Sequence, residues 1–142
     1  MTVKQLSVFV ENRRGRLGEV LSVLKERHVN ILSMSLADTT EYGLLRLIVS
    51  DPEAGRVGLT AAGFSSMVTE VLIVKIPHRA GSLQEILETI AKREISVEYM
   101  YGLSVGTADA CVVMKTGDLG RAMTVLTECG IDTLTAEELA AL

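Results

Sequence analysis

Two short polar segments hold the residue types in this chain that are best suited to binding a small charged molecule. The first reads Asn-Arg-Arg-Gly-Arg-Leu over residues 12–17, and the second reads His-Arg-Ala-Gly-Ser-Leu over residues 78–83. In both, a glycine lets the backbone turn sharply just before an apolar helical pattern begins. The N–H groups in the first turn of such a helix have no intrahelical acceptor, so this turn attracts anions. The segments are therefore candidate carboxylate-binding sites.

The side chains around these glycines suit an amino acid. Asn12 and Asn30 carry side-chain carbonyl oxygens that would accept a hydrogen bond from a ligand ammonium group. Arg13, Arg14 and Arg16 form a tight basic cluster, which either binds a phosphate or acidic partner or is simply a solvated loop. A glycine at a strand-to-helix turn is also often no more than a turn.

Signatures of catalysis or metal binding are weak. The two histidines, His28 and His78, are too few for a histidine-rich metal site, and local Ser-His-Asp, Cys-His and phosphate-loop motifs are missing from the sequence. His78 beside Arg79 would serve as a base only with an orienting carboxylate, and none is an obvious candidate nearby in the sequence. Cys111 and Cys129 are interpreted as small core residues. We predict no catalytic residues, no metal and no cofactor.

The two segments belong to a longer internal duplication. An offset of 66 residues, which aligns Gly15 with Gly81, continues without a gap through the following helical stripe. The apolar matches are Leu17, Val20, Leu21 and Leu24 with Leu83, Ile86, Leu87 and Ile90. The same offset pairs the strand before the turn and the segment after the helix, where Val29-Asn30-Ile31 matches Ile95-Ser96-Val97.

Hydrophobic periodicity and helix-capping residues predict the strands and helices that must position these residues. Predicted strands are Val3–Glu11, Val29–Ala37, Leu44–Ser50, Ser66–Glu70, Val71–Pro77, Ser96–Leu103, Ala108–Thr116 and a short one near Ile131–Leu134. Predicted helices are Arg16–Arg27, a glycine-weakened helix that starts at Asp51-Pro52, Ser82–Arg93, Leu119–Cys129 and a terminal turn capped by Thr135 and Glu138. The order is β-α-β-β-α-β, repeated once.

The chain length favours two halves that depend on each other. A half of about 70 residues buries only about 60% of its unfolded surface, so we expect residues 1–70 and 71–142 to share a core or a sheet. The predicted fold class is α+β: two ferredoxin-like βαββαβ repeats, with antiparallel sheets joined side by side and helices on one face. The third strand of each half, over Leu44–Val49 and Ala110–Met114, is largely apolar on both sides, with Arg46 the one charged exception, and should be central in its sheet.

Composition excludes several classes of partner. A net charge of −4 and a pI near 5.2 disfavour nucleic acid and anionic membranes, and the chain has no tryptophan to stack on single-stranded bases. No apolar run approaches the roughly 20 residues needed to span a bilayer, and the first residues lack the pattern of a secretion signal. We therefore expect a cytoplasmic protein.

These motifs resemble the ACT domain, a small module that senses small molecules, mostly amino acids. The strand that ends in Asn12-Arg-Arg-Gly15-Arg-Leu17, with the helix that leads to Asn30, is similar to one ACT domain, and the second half is similar to another. Both together resemble the stand-alone tandem ACT proteins. The first loop keeps the family's Asn and Gly, with Arg14 at the usual proline position. In the second loop, His78 and Ala80 replace the acid or amide and the proline.

The resemblance implies a non-catalytic, allosteric regulatory protein that binds an amino acid at the interface between its ACT repeats. The implied ligand-binding residues are Asn12, Arg14, Gly15, Arg16, Leu17, Asn30, Ile31, His78, Ala80, Gly81, Ser82, Leu83, Ser96 and Val97. It also implies a better-preserved site in the first half. A homodimer or a regulated enzyme is open as a partner. Two alternatives remain: a small regulatory subunit of an amino-acid biosynthetic enzyme, and an enzyme on a ferredoxin-like scaffold.

Overall fold

The chain folds into two compact units, each built from antiparallel strands and two main helices. The computed structural model describes residues 1–38, 41–103 and 110–142. The first unit is Lys4–Thr69, and the second consists of Met1–Val3 with Glu70–Leu142. The strand predicted from Ala108, and the polar turn that the sequence predicts over residues 38–43 between the second and third strands, reach residues outside the described ranges.

The first unit contains the elements β1 to α2 and the start of β4. Their bounds are β1 Val3–Glu11, α1 Arg16–Glu26, β2 Ile31–Asp38, β3 Tyr42–Val49, α2 Pro52–Ala61 and β4 Ser66–Ile76. The third strand, β3, pairs antiparallel with β1 on one side and β2 on the other, which confirms its predicted central place. Alternate β1 residues, among them Leu6 and Val8, are fully buried in one core with Val20 and Leu24 of α1. Leu59 of α2 lies in the same core, so both helices cover one face of the sheet.

Two glycines of α2 allow the two helices of this unit to pack closely. A Cβ atom at Gly55 would lie 2.9 Å from Leu6 Cδ2 and 3.3 Å from Leu24 Cδ2. A Cβ atom at Gly58 would lie 2.9 Å from Arg27 Cγ and 3.3 Å from Val23 Cγ1. The two glycines lower the helix propensity of α2, but their missing side chains allow this close packing.

The second unit repeats the pattern. Its elements are the rest of β4, then α3 Ser82–Lys92, β5 Val97–Gly102, β6 Ala110–Thr116, α4 Leu119–Glu128 and α5 Ala136–Ala140. The strand β6 lies between β4 and β5, again in the predicted central position. Apolar residues of β4, α3 and α4 form one core, so the helices again share a face; its members include Leu72, Val74, Ile90 and Leu126. The predicted ferredoxin-like βαββαβ class is confirmed.

The main corrections concern the ends of each repeat. The strands predicted at Ser66–Glu70 and Val71–Pro77, between which the sequence shows no linker, form one continuous strand, β4. The strand predicted near Ile131–Leu134 is reduced to a single antiparallel bridge between Thr133 and Val74. Cys129 is exposed at the end of α4, so its assignment to the core was wrong, whereas Cys111 is buried.

The helix caps agree closely with the sequence. Asp51 and Asp118 accept hydrogen bonds from Ala54 N–H and Arg121 N–H, both at 3.0 Å, as N-caps do. The side chain of Thr135 accepts from the N–H of Glu138 at 3.1 Å and starts α5. None of the described helices is long and apolar enough to cross a membrane.

Candidate functional site

Each repeat has a corner where its first strand turns into its first helix. In the first corner, residues 11–19, Gly15 is the N-cap of α1 and has φ 86°. A residue with a Cβ atom is strained at this φ, so the turn requires glycine. The N–H of Arg13 donates to the Glu11 carbonyl at 2.8 Å, and that of Glu19 donates to the Gly15 carbonyl at 3.0 Å.

The second corner, residues 77–85, has the same backbone geometry. Gly81 is the N-cap of α3 and also has φ 86°. The N–H of Arg79 donates to the Pro77 carbonyl at 2.8 Å, and that of Glu85 donates to the Gly81 carbonyl at 3.0 Å. The corners are therefore two copies of one backbone structure, and any difference between them lies in their side chains.

Both corners present N–H groups without an acceptor. Neither glycine N-cap supplies a side-chain hydrogen bond. In the described parts of the chain, no backbone carbonyl accepts from Leu17 or Gly18 at the first corner, or from Leu83 or Gln84 at the second. These donors, at the positive end of a helix dipole, suit a carboxylate.

At the first corner, the chain covers the start of α1 with its own side chains. The Arg16 guanidinium lies over the Phe64 ring, with 4.2 Å between Cζ and the ring centroid, as in a cation–π contact. The same guanidinium forms an ion pair with Glu19, and the Arg16 side chain is 17% exposed. Phe64 itself is buried in the first core. Arg16 thus fills the space between the start of α1 and the chain that leaves α2.

At the second corner, this space is open. Ser82 occupies the first helical position of α3, as Arg16 does in α1. Ile131 follows α4 as Phe64 follows α2, because each donates its N–H at 2.9 Å to a leucine carbonyl five residues earlier, Leu126 and Leu59 respectively. These smaller residues leave a groove of about 300 Å³ between α3 and the end of α4. We call it the α3–α4 groove; it is lined by Pro77, Arg79, Ser82, Glu85, Ile86, Thr89, Cys129, Gly130 and Ile131.

A buried hydroxyl in the wall of this groove has no partner. Ser82 is 3% exposed, and its Oγ has no hydrogen-bond partner within the described residues. A buried hydroxyl in that state costs free energy, since it has given up its water and gained nothing in return. A ligand would recover that cost if the Ser82 side chain turned towards it, since the oxygen has almost no accessible surface in its present position.

An ion pair lies at the rim of the groove. Arg79 Nη2 is 2.9 Å from Glu85 Oε2, and both side chains are largely exposed. The hydrogen bond from Arg79 lowers the pKa of Glu85 below its ordinary value, and the same bond raises the pKa of Arg79. Both groups are therefore charged at neutral pH, and the rim offers one fixed charge of each sign.

The remaining predicted ligand residues divide by position. Asn12 and Arg14 are exposed at the first corner, and Leu17 is partly buried against the first core. At the second corner His78 and Ala80 are exposed, and Leu83 is partly buried against the second core.

Asn30 and Ile31 lie at the opposite end of the strands from the first corner. Ile31 pairs with Val49 at the far end of β3, whereas Glu11 pairs with Tyr42 at its start. These ends are seven residue steps apart along β3, which corresponds to about 23 Å at 3.3 Å per residue. The Asn30 carbonyl accepts from Ser50 N–H at 2.9 Å. Within one unit, a small ligand at the corner does not reach Asn30.

Ser96 and Val97 are placed in the same way in the second unit. Val97 pairs with Thr116 at the end of β6, and Ile76 pairs with Ala110 at its start. The Ser96 carbonyl accepts from Gly117 N–H at 3.2 Å, which anchors this segment by its backbone. The structure thus brings together the residues of each corner but not those of the second strands.

Sequence reasoning missed the part of the groove that comes from α4. Cys129, Gly130 and Ile131 lie almost 50 residues after the second corner, so no local motif points to them. The duplication shows only that Ser82 replaces Arg16, because its offset of 66 residues aligns Phe64 with Gly130. The match of Phe64 with Ile131 comes from the backbone hydrogen bonds. Across residues 1–38, 41–103 and 110–142, His, Cys, Asp and Glu form no group of three that could hold a metal ion.

Comparison with known proteins identifies a family whose model matches the whole chain. A family model described as an ACT domain pair matches residues 1–142. The crystal structure of protein BT0572 from Bacteroides thetaiotaomicron is 34% identical, with a TM-score of 0.92, and the match covers 100% of this chain and 98% of that one. No curated protein sequence matches this chain.

More distant solved structures share the fold. The ligand-free regulatory subunit of aspartate kinase from Thermus thermophilus is 12% identical, with a TM-score of 0.60, over 88% of this chain and 91% of its own. The corresponding subunit from Thermus flavus is 11% identical, with a TM-score of 0.61, over 87% of this chain and 88% of its own. At such identities the likeness concerns the fold alone.

Proposed function

Because the chain belongs to the ACT domain pair family, we propose that it is a non-catalytic regulatory protein that binds a free amino acid at a corner of its repeats. The ligand carboxylate would meet the open N–H groups at the start of a helix. Its ammonium group would be met by a carboxylate or a side-chain carbonyl. Residues 1–70 and 71–142 would be the two repeats, and the division of the chain into units at Thr69 and Glu70 supports this.

The observation that carries the proposal is the pair of matching corners. In both, a glycine at φ 86° ends the turn without a side-chain cap, and two successive N–H groups have no carbonyl acceptor within the described chain. An ordinary surface helix usually has Ser, Thr, Asp or Asn at this position to satisfy one of those donors. Asp51, Asp118 and Thr135 do so elsewhere in this chain. Among the described helices, the corners are thus the two helix starts that lack a side-chain cap.

A thermal-shift panel of the common amino acids tests the proposal. A ligand present at 100 times its dissociation constant stabilises the native state by about 2.7 kcal/mol, which is readily measured. We expect one amino acid, or a small related group, to raise Tm at millimolar concentration. Equal concentrations of sodium chloride control for ionic strength. No rise with any amino acid would contradict the proposed function.

Regulation also requires a second state or a partner, since a ligand shifts only an equilibrium between states it binds differently. Met34 and Leu36 are exposed on β2, at the edge of the first unit's strand order β2-β3-β1. Exposed apolar side chains on an edge strand favour contact with another protein chain. We propose a second copy of this chain or a regulated enzyme as that partner.

Sedimentation velocity with and without the amino acid found in the panel tests for the second copy. We expect the apparent mass to depend on protein concentration, and Leu36→Lys to shift it towards the monomer. A mass of one chain at all concentrations would leave a regulated enzyme as the partner to be sought by co-purification.

A further inference from the structure

We infer that the two repeats have diverged into one self-filled site and one open site, and that the amino acid binds at the second corner, where the α3–α4 groove meets the cavity lined by Gly81, Leu83 and Gln84. This inference rests on the proposed function and adds the location, the contacting groups and the size of the ligand. It reverses the expectation that the first corner is the better site.

The first step is that the two places are equivalent. Gly15 and Gly81 share φ 86°, and the backbone hydrogen bonds around them agree within 0.1 Å at every matched pair. The chain also leaves α2 and α4 through glycines of positive φ, Gly63 at 89° and Gly130 at 70°. A ligand that fitted one place would therefore find the same backbone at the other.

The second step is that the first place is occupied by the chain. The Arg16 guanidinium stacks 4.2 Å from the Phe64 ring centroid and forms an ion pair with Glu19. It thus places a positive charge at the start of α1, where a ligand would otherwise lie. Displacing it would break the ring contact and the ion pair together.

The third step is that the second place is unfilled and contains a group in need of a partner. Ser82 Oγ is buried and unpartnered within the described chain, and the residue lies in the wall of the α3–α4 groove. The N–H groups of Leu83 and Gln84 follow it in the same helical turn, and both residues line an adjoining cavity of about 590 Å³ that shares Pro77, Arg79 and Ser82 with the groove. The two amides form a compact pair of donors for a carboxylate, and the Ser82 hydroxyl joins them when its side chain turns towards the ligand.

The rim and size of the groove define the ligand. Glu85 supplies a carboxylate for an ammonium group, and Arg79, its partner at 2.9 Å, is exposed enough to move aside. Ile86 and Ile131 add an apolar wall. The groove of about 300 Å³ and the adjoining cavity of about 590 Å³ have the volume of ordinary ligand pockets, so the second corner has room for an α-amino acid.

The test introduces the residue types that fill the first corner, Arg and Phe, at the equivalent positions of the second repeat. The double variant Ser82→Arg, Ile131→Phe should close the groove and weaken binding at least tenfold, measured by thermal shift and calorimetry with the same amino-acid panel. The matched control is Arg16→Ser, which opens the first corner and should leave wild-type affinity at the second. Circular dichroism of each variant checks that it is folded.

A second variant keeps the test decisive if the double variant does not fold. Ser82→Ala removes only the buried hydroxyl, and we expect it to weaken binding several-fold. Wild-type affinity in both Ser82→Ala and the double variant, or loss of binding in Arg16→Ser, would overturn the inference and leave the proposed function intact. A wild-type protein that binds no amino acid would instead contradict the proposed function itself.

Discussion

Replacing Gly55 with valine is expected to lower the free energy of unfolding by about 2–3 kcal/mol. The reason is steric, because a Cβ atom there would lie 2.9 Å from Leu6 Cδ2 and 3.3 Å from Leu24 Cδ2. Both leucines are buried in the first core and have little room to move. Urea unfolding followed by circular dichroism measures the change.

The control for this prediction is Gly18→Ala in α1. Nothing lies within 4 Å of a Cβ atom at Gly18, so the substitution should stabilise α1 by about 0.5–1 kcal/mol through helix propensity alone. The two substitutions should therefore change the free energy of unfolding in opposite directions, although both remove a helical glycine from the first unit. Equal effects would contradict the packing account of α2.

Replacing Gly81 with valine is expected to remove most of the rise in Tm that the amino acid produces. A β-branched residue at φ 86° costs about 1–3 kcal/mol, so the corner relaxes and its N–H groups turn away from the ligand. Binding that is ten times weaker lowers ligand stabilisation from about 2.7 to about 1.4 kcal/mol at an initial 100-fold excess over the dissociation constant. Thermal shift at several ligand concentrations measures the affinity.

Gly15→Val is an unusually close control for that experiment. Gly15 has the same φ of 86°, and nothing lies within 4 Å of a Cβ atom at either glycine. Both variants should therefore lose a similar amount of stability without ligand, while only the Gly81 variant loses its response to the amino acid. A response lost in Gly15→Val and kept in Gly81→Val would place the ligand at the first corner.

Much of the fold could be predicted because local signals and the duplication agree. The apolar stripe of Leu17, Val20, Leu21 and Leu24 specifies one buried face of a helix, and its repetition at 66 residues excludes chance. Asp51 followed by Pro52 marks the start of α2 by cap chemistry. The failure was at the end of the second repeat, because whether residues 131–134 form a strand depends on tertiary pairing rather than on local pattern.

The candidate site could be predicted only in its backbone. The glycines mark both corners, since a positive φ leaves few other choices. Which corner is open depends on residues distant in sequence: Phe64 receives Arg16 in the first repeat, whereas Ile131 and Ser82 line a groove in the second. Family motifs ranked the first corner higher because Asn12 and Gly15 fit them, whereas side-chain packing favours the second.

The most direct measurement for the central claim is an amide nitrogen–proton NMR titration with the amino acid that raises Tm most. The account predicts the largest shifts at the N–H groups of Leu83 and Gln84, with Ser82 beside them, and small shifts at Leu17 and Gly18. Saturating changes at Leu17 and Gly18 with Leu83 and Gln84 unmoved, or no change at either helix start, would contradict it.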